Sequence, residues 1–184
     1  DYSVFDDQIF FRPYNGEVER AVDYELSRGC IYACSYCVET IIQQYYGFDE
    51  QNRGTIKNAK RYLRNKSAER VLDELKKLHH QFGITLVRCQ DTNFLTINRG
   101  MLQKLAKLIE ASDLNIKLYI ETRPEGINPA SLLLLKSLKV DGIGMGIEVS
   151  DEAFRNGSLN RFAGQEKIVS AFKELRENGI KRTA

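Results

Sequence analysis

Cys30, Cys34 and Cys37 fall within eight positions of the run RGCIYACSYCVET, residues 28 to 40, in the spacing C-x3-C-x2-C; the fourth cysteine, Cys89, lies far along the chain. A thiolate is a soft ligand suited to zinc or iron. A bridge between Cys34 and Cys37 is geometrically allowed but leaves Cys30 an odd thiol beside it, and in a reducing compartment such a grouping binds metal or does redox work. Structural zinc takes four ligands. His79 and His80, the chain's two histidines, sit side by side at the far end of a predicted helix, where one ring at most faces a common point, and Cys89 falls on the next strand. Zinc sites of three cysteines and a histidine, or of four cysteines, stay open on spacing alone. Iron-sulfur chemistry fits the count better: three thiolates hold three irons of a [4Fe-4S] cube and leave the fourth iron to a non-protein ligand. Cys89 reads as a buried strand residue.

The elements that must carry these thiols belong to an ordinary folded domain. The 184 residues are 42% apolar and 28% charged, with 27 basic and 25 acidic side chains giving a net charge of +2. These values exclude a disordered chain or a disulfide-built scaffold, and the charge balance does not indicate nucleic acid as a partner. No apolar run approaches the roughly 18 residues of a membrane span. The N-terminus lacks the layout of a secretory signal, so a cytoplasmic location is expected. The first residue is Asp1, which leads us to expect further chain upstream.

Periodicity and breakers predict a strand over Arg20 to Ser27, leading into the thiol loop, then an irregular stretch from Gln43 to Asn65. Ser67 caps a helix with Val71, Leu72, Leu75 and Leu78 on one stripe, ending near Gly83. A strand from Ile84 to Cys89 follows. Helix, strand, helix and strand are then predicted over Arg99 to Ala111, Ile116 to Ile120, Pro129 to Leu138 and Gly142 to Ile147, with a helix over Gln165 to Glu177 and a further strand from Ile180. This alternation is the signature of βαβ units round a parallel sheet. An open doubly wound sheet and a partial (β/α) barrel both satisfy it; a complete eight-unit barrel needs about 250 residues, so the chain's four units and the start of a fifth favour a barrel cut short.

The stretch SRGCIYACSYC, with Tyr36 just before the third cysteine, resembles the cluster motif of the radical S-adenosylmethionine (SAM) superfamily. DYSVF at the start, SAERVLDEL, CQDTNF from Cys89, ETR from Glu121, GIGMGIE from Gly142 and LNR from Leu159 are together similar to the catalytic domains of cobalamin-binding radical enzymes. The link from Gln43 to Asn65 is longer than is usual in that family. The resemblance implies an incomplete parallel (β/α) barrel, with residues 1 to 184 forming the N-terminal part of the core and the later strands lying beyond it. It implies a [4Fe-4S] cluster on Cys30, Cys34 and Cys37, SAM on the open iron, and reductive cleavage of SAM to abstract hydrogen from a substrate, cobalamin-assisted methyl transfer being one outcome. Cobalamin would come from an upstream domain, and the electron from a reductant such as flavodoxin or ferredoxin. Asp91, Asn93, Arg123, Glu148 and Arg161 are expected near the cosubstrate, Gly144 to admit adenosine on the inner side, and Tyr36 to shield the cluster; Arg123 or Arg161 would pair with a carboxylate, and Glu148 would accept from the ribose. Two other readings stand: a methylthiotransferase of transfer RNA or protein, and a non-enzymatic zinc-stabilised module.

Overall fold

The computed structural model describes residues 2–183. After two 3-10 turns, a hairpin joins β1 (Phe11–Tyr14) to β2 (Glu17–Tyr24). Asn15 and Gly16 form its two-residue loop, both with positive φ, as a type I′ turn requires. The strand predicted to begin at Arg20 therefore begins three residues earlier, with an antiparallel partner that the sequence reading lacked. Next come β3 (Ser27–Arg28), the thiol loop and α1 (Val38–Tyr45). The stretch left irregular holds a small hairpin of β4 (Gln51–Asn52) and β5 (Thr55–Ile56), one helical turn α2 (Ala59–Tyr62), and β6 (Arg64–Asn65), which pairs back onto β3.

The repeating units then follow in order: α3 (Ala68–Phe82), β7 (Leu86–Cys89), α4 (Arg99–Glu110), β8 (Lys117–Thr122), α5 (Pro129–Ser137), β9 (Val140–Met145), a short α6 (Glu152–Gly157), α7 (Gln165–Glu177) and β10 (Lys181–Thr183). The main sheet has the order β1-β2-β7-β8-β9-β10, and every pairing from β2 to β10 is parallel. It curls into a half-barrel, the predicted incomplete barrel.

Local chemistry explains the element ends. The Ser67 hydroxyl accepts from Arg70 N and starts α3; Asn98 does the same for α4, and Asn128 with Ser131 forms a capping box ahead of Pro129 at the start of α5. The outward face of the sheet carries Val22, Val87, Cys89, Leu118, Ile120, Ile143 and Met145, which pack with Val71, Leu75, Leu105, Ile109, Leu135, Ala171 and Leu175 of the helices in one core. Burying a leucine such as Leu75 contributes about 1.5–3 kcal/mol. Strand alternation turns Glu19, Arg88, Lys117 and Tyr119 the other way, onto the concave face. There Glu19 accepts from Thr85 and Lys117, and Asp141 accepts from Tyr14 and Lys181. The sheet is thus apolar on the helical side and polar inside. Among the described residues no helix is long and apolar enough to cross a membrane.

Candidate functional site

The thiol loop leaves the C-terminal edge of β2 and is pinned there by Asp91, just past the end of β7. The Asp91 carboxylate accepts from Leu26 N at 3.1 Å and from Ser27 N and Oγ at 2.6 Å each. Burial lifts its pKa, and these bonds pull it back without cancelling the rise. Expected near the cosubstrate, Asp91 instead spends both oxygens on the chain that enters the loop.

The loop backbone is satisfied from every side, as a buried irregular segment must be. The Gln43 amide donates to Cys30 O at 2.8 Å and Tyr32 O at 2.9 Å, and the Thr40 hydroxyl to Cys34 O at 2.8 Å. Glu39 Oε1 accepts from Cys30 N at 3.2 Å and Tyr62 Oη at 2.6 Å. Glu39, Thr40 and Gln43 share one face of α1 because residues three and four apart are neighbours on a helix. From across the fold, Asn160 Nδ2 donates to Ala33 O at 2.7 Å and Ser35 Oγ to Ser158 O at 2.6 Å.

All three thiols are free; Cys30 and Cys34 are buried and Cys37 is half-buried. Cys37 is the N-cap of α1, where the helix dipole favours an anionic group. Burial pushes the Cys30 thiol up to about 11, against a bond from Tyr32 N that lowers it. The Arg123 guanidinium donates to Cys34 Sγ at 3.4 Å and lies 3.8 Å over the Tyr32 ring. Burial depresses its pKa, but Glu125, bonded at 3.0 and 2.5 Å, outweighs that, so it stays cationic.

Arg161 supplies a second buried cation. It donates to Tyr36 Oη at 3.3 Å and to Gly146 O, lies 3.9 Å from Glu148, and keeps a buried Nε without a partner among the described residues. A Cβ on Gly146 would come within 2.5 Å of Glu148 Oε1, so the glycine lets the carboxylate lie this close to the strand end. Fully buried Arg155 ties Val149 O to Ala163 O at 2.5 and 2.9 Å and so fixes the segment that presents Glu148 and Arg161.

These groups border a cleft of about 220 Å³ lined by Cys30, Cys34, Cys37, Tyr32, Tyr36, Thr92, Asn93, Glu121, Thr122, Arg123, Gly146, Glu148 and Arg161. It gathers eight of the ten predicted site residues. Asp91 and Gly144 are not among them. Gly144 does lie on the concave face, where a Cβ would stand 2.5 Å from Tyr119 Oη, so the missing side chain leaves room for that hydroxyl. A larger cavity of about 410 Å³ beside Tyr14 and Tyr119 holds no thiol, and the chemistry lies in the smaller one. Sequence reasoning missed Glu39, Thr40, Gln43 and Arg155. For Thr40 and Gln43 a signal existed: polar residues at 40 and 43, on the helical period from Cys37, amid Val38, Ile41 and Ile42.

The donor set fits an iron-sulfur cluster. Three uncrosslinked thiols line one cleft, two buried guanidinium groups offset their negative charge once ionised, and Arg161 Nε is left for a partner from the cleft. Zinc fits less well. Among the described residues no group of three or more His, Cys, Asp or Glu is gathered to hold one ion, whereas a cube takes one thiolate per iron. His79 Nδ1 lies 2.7 Å from Ile84 O, and His80 lies 3.9 Å from Asp113, both at the opposite edge of the sheet.

Comparison with curated proteins finds no match. Among solved structures, the radical SAM methyltransferase TsrM from Kitasatospora setae, with cobalamin and a [4Fe-4S] cluster bound, is similar with a TM-score of 0.68 and 19% identity over 89% of this chain and 28% of that one. The cobalamin-dependent SAM radical enzyme OxsB, with aqua-cobalamin and SAM bound, is similar with a TM-score of 0.65 and 18% identity over 88% of this chain and 23% of that one. At such identity the likeness concerns the fold, and the chain spans only about a quarter of the length of those structures. A family model described as the Radical SAM superfamily matches residues 24–184. The chain belongs to the radical SAM superfamily, whose domain uses a [4Fe-4S] cluster and S-adenosylmethionine.

Proposed function

We propose that Cys30, Cys34 and Cys37 each ligate one iron of a [4Fe-4S] cluster, and that the adjoining cleft binds SAM in an enzyme that cleaves it reductively to act on a substrate carbon. The observation that carries this reading is the convergence of three free thiols and two buried arginines on one cleft. When bound, the reduced cluster supplies one electron for breaking the sulfonium carbon–sulfur bond, the hard step belonging to the cofactors. The chain's own residues hold, orient and exclude water. Glu39, Thr40 and Gln43 fix the loop carbonyls and amide so that the thiols stay in place. Arg123 and Arg161 bring positive charge to the thiolates and to the cosubstrate carboxylate. Glu148 and Asn93 offer acceptors to hydroxyl or ammonium groups, and Tyr36, held by Arg161, covers the cleft beside Cys37. Cobalamin in both similar structures supports a cobalamin-assisted reaction, methyl transfer included, with the cobalamin held by another part of the protein.

Electron paramagnetic resonance of the reconstituted, reduced protein tests the reading. Adding SAM should change the spectrum, and Glu148→Gln or Arg161→Met should raise the SAM concentration needed by about 10-fold, the loss of one charge-assisted contact. A spectrum indifferent to saturating SAM would overturn it.

A further inference from the structure

A second cavity, of about 230 Å³, lies against the thiol loop and shares no lining residue with the cleft. It is bordered by Tyr46, Phe48, Arg61, Tyr62 and Arg64. Tyr62 is the wall between it and the thiols. Its buried ring would touch a Cβ on Gly29 at 3.0 Å, and its hydroxyl donates to the Glu39 oxygen that also accepts from Cys30 N. One aromatic ring and one carboxylate thus link this cavity to Cys30.

The rim is cationic without an internal answer. The short β3–β6 ladder sets Arg28 directly opposite Arg64, an arrangement that is destabilising by itself. Glu25 answers Arg28 at 3.0 Å; among the described residues Lys60, Arg61 and Arg64 have no ion-pair partner. Beside them α1 turns Val38, Ile41, Ile42 and Tyr45 outward, Ile41 66% and Tyr45 83% exposed, and the Tyr45 and Tyr46 rings meet edge to face at 5.2 Å and join this strip to the cavity. An apolar, aromatic centre beside unanswered arginines is the make-up of a protein interface for an acidic partner. A nucleic acid fits it less well, because the exposed apolar strip of α1 gives phosphates nothing.

We propose that the face formed by α1 and by Arg61 and Arg64 is the docking surface of an acidic electron-carrier protein, with Tyr62 and Glu39 lying on the electron's way to the cluster at Cys30. The claim rests on the cluster reading above. One electron leaves the carrier's flavin or iron-sulfur centre and one is gained by the cluster; no bond forms or breaks and no proton moves at the interface.

The test uses the complete reconstituted protein and an acidic flavodoxin, with affinity measured by calorimetry at about 50 and about 300 mM salt, conditions that differ in screening. The expected results are weaker binding at high salt, at least ~10-fold weaker binding for Arg61→Glu/Arg64→Glu, no change for the control Arg99→Glu/Lys107→Glu on α4, and flavodoxin-dependent protection of residues 38 to 46 from hydrogen exchange. The double variant should keep its iron and be reduced normally by dithionite, which separates failure of docking from failure of the cluster reading: absent iron in every variant refutes that reading, and affinity alone decides the surface. The proposal is overturned by unchanged affinity in the double variant, by exchange across residues 38 to 46 that flavodoxin leaves unchanged, or by a single-stranded RNA displacing flavodoxin from this face.

Discussion

Around α3, Val71, Leu72, Leu75 and Leu78 enter a core shared with three other helices and four strands; the loop from Cys30 to Cys37 rests on a small cluster of Ala33, Ile56 and Tyr62 and on bonds from Gln43, Thr40, Glu39 and Asn160 to its backbone. The first region is held by burial, which is non-directional and spread over many atoms. The second is held by directional contacts from single polar side chains, each aimed at a named amide or carbonyl. Burial tolerates substitution with a graded loss of stability. The loop is rigid only while each bond is made, and that is the property a site must have to hold three sulfurs at fixed separations.

Breaking the burial side should have the larger thermodynamic effect. Leu75→Ala should lower the unfolding free energy by about 2–5 kcal/mol in urea, while iron bound per folded chain stays at the wild-type level; a parallel drop in iron would mean that the two regions are not separable. Gln43→Ala should cost less, about 1–3 kcal/mol for the carbonyls it leaves unsatisfied, yet it should speed amide exchange across Cys30 to Cys37 and reduce iron uptake. Gln43→Glu, of the same size but unable to donate when ionised, should behave as the alanine variant does. Wild-type exchange in both would refute the clamp.

Much of the burial side was legible in the sequence, and less of the loop's support was. The Ser67 cap, the stripe through Val71 and Leu78, and the Pro129 start are local patterns, and α3 and α5 appear within a residue or so of where they are predicted. The thiol spacing is local too, and the cleft forms around it. Asn15-Gly16 is a local turn signal for the β1–β2 hairpin, but β1 is only four residues long and contains Pro13, so its strand pattern is weak. Helix α1 was hidden for a physical reason: its apolar residues Val38, Ile41 and Tyr45 face outward, and its buried side is polar Thr40 and Gln43. Asp91 misled because its position after a strand is that of a site residue, while its partners Leu26 and Ser27 lie more than sixty residues away.

The smallest expected effect sharpens the helical side by pH. Burial raises the Glu74 pKa, but bonds from Lys66, Tyr24 and Arg70 outweigh it and hold the carboxyl at about 2. Since the folded value lies below the unfolded one of about 4.3, the stabilisation is fully present above pH ~4.3 and is lost as pH falls through about 2. The site is partly solvated, so screening keeps it small. The gap in urea midpoint between wild type and Glu74→Gln should close over that window; a gap independent of pH would remove Glu74 from the account.

Metal and acid-labile sulfide analysis of the anaerobically reconstituted protein decides whether the three thiols hold a cluster. About four irons and four sulfides per chain are expected, abolished by Cys30→Ala, Cys34→Ala or Cys37→Ala and retained in Cys89→Ala, whose thiol lies in the helical core. One tightly bound zinc without sulfide, or iron that survives the loss of Cys34, would contradict the cluster reading.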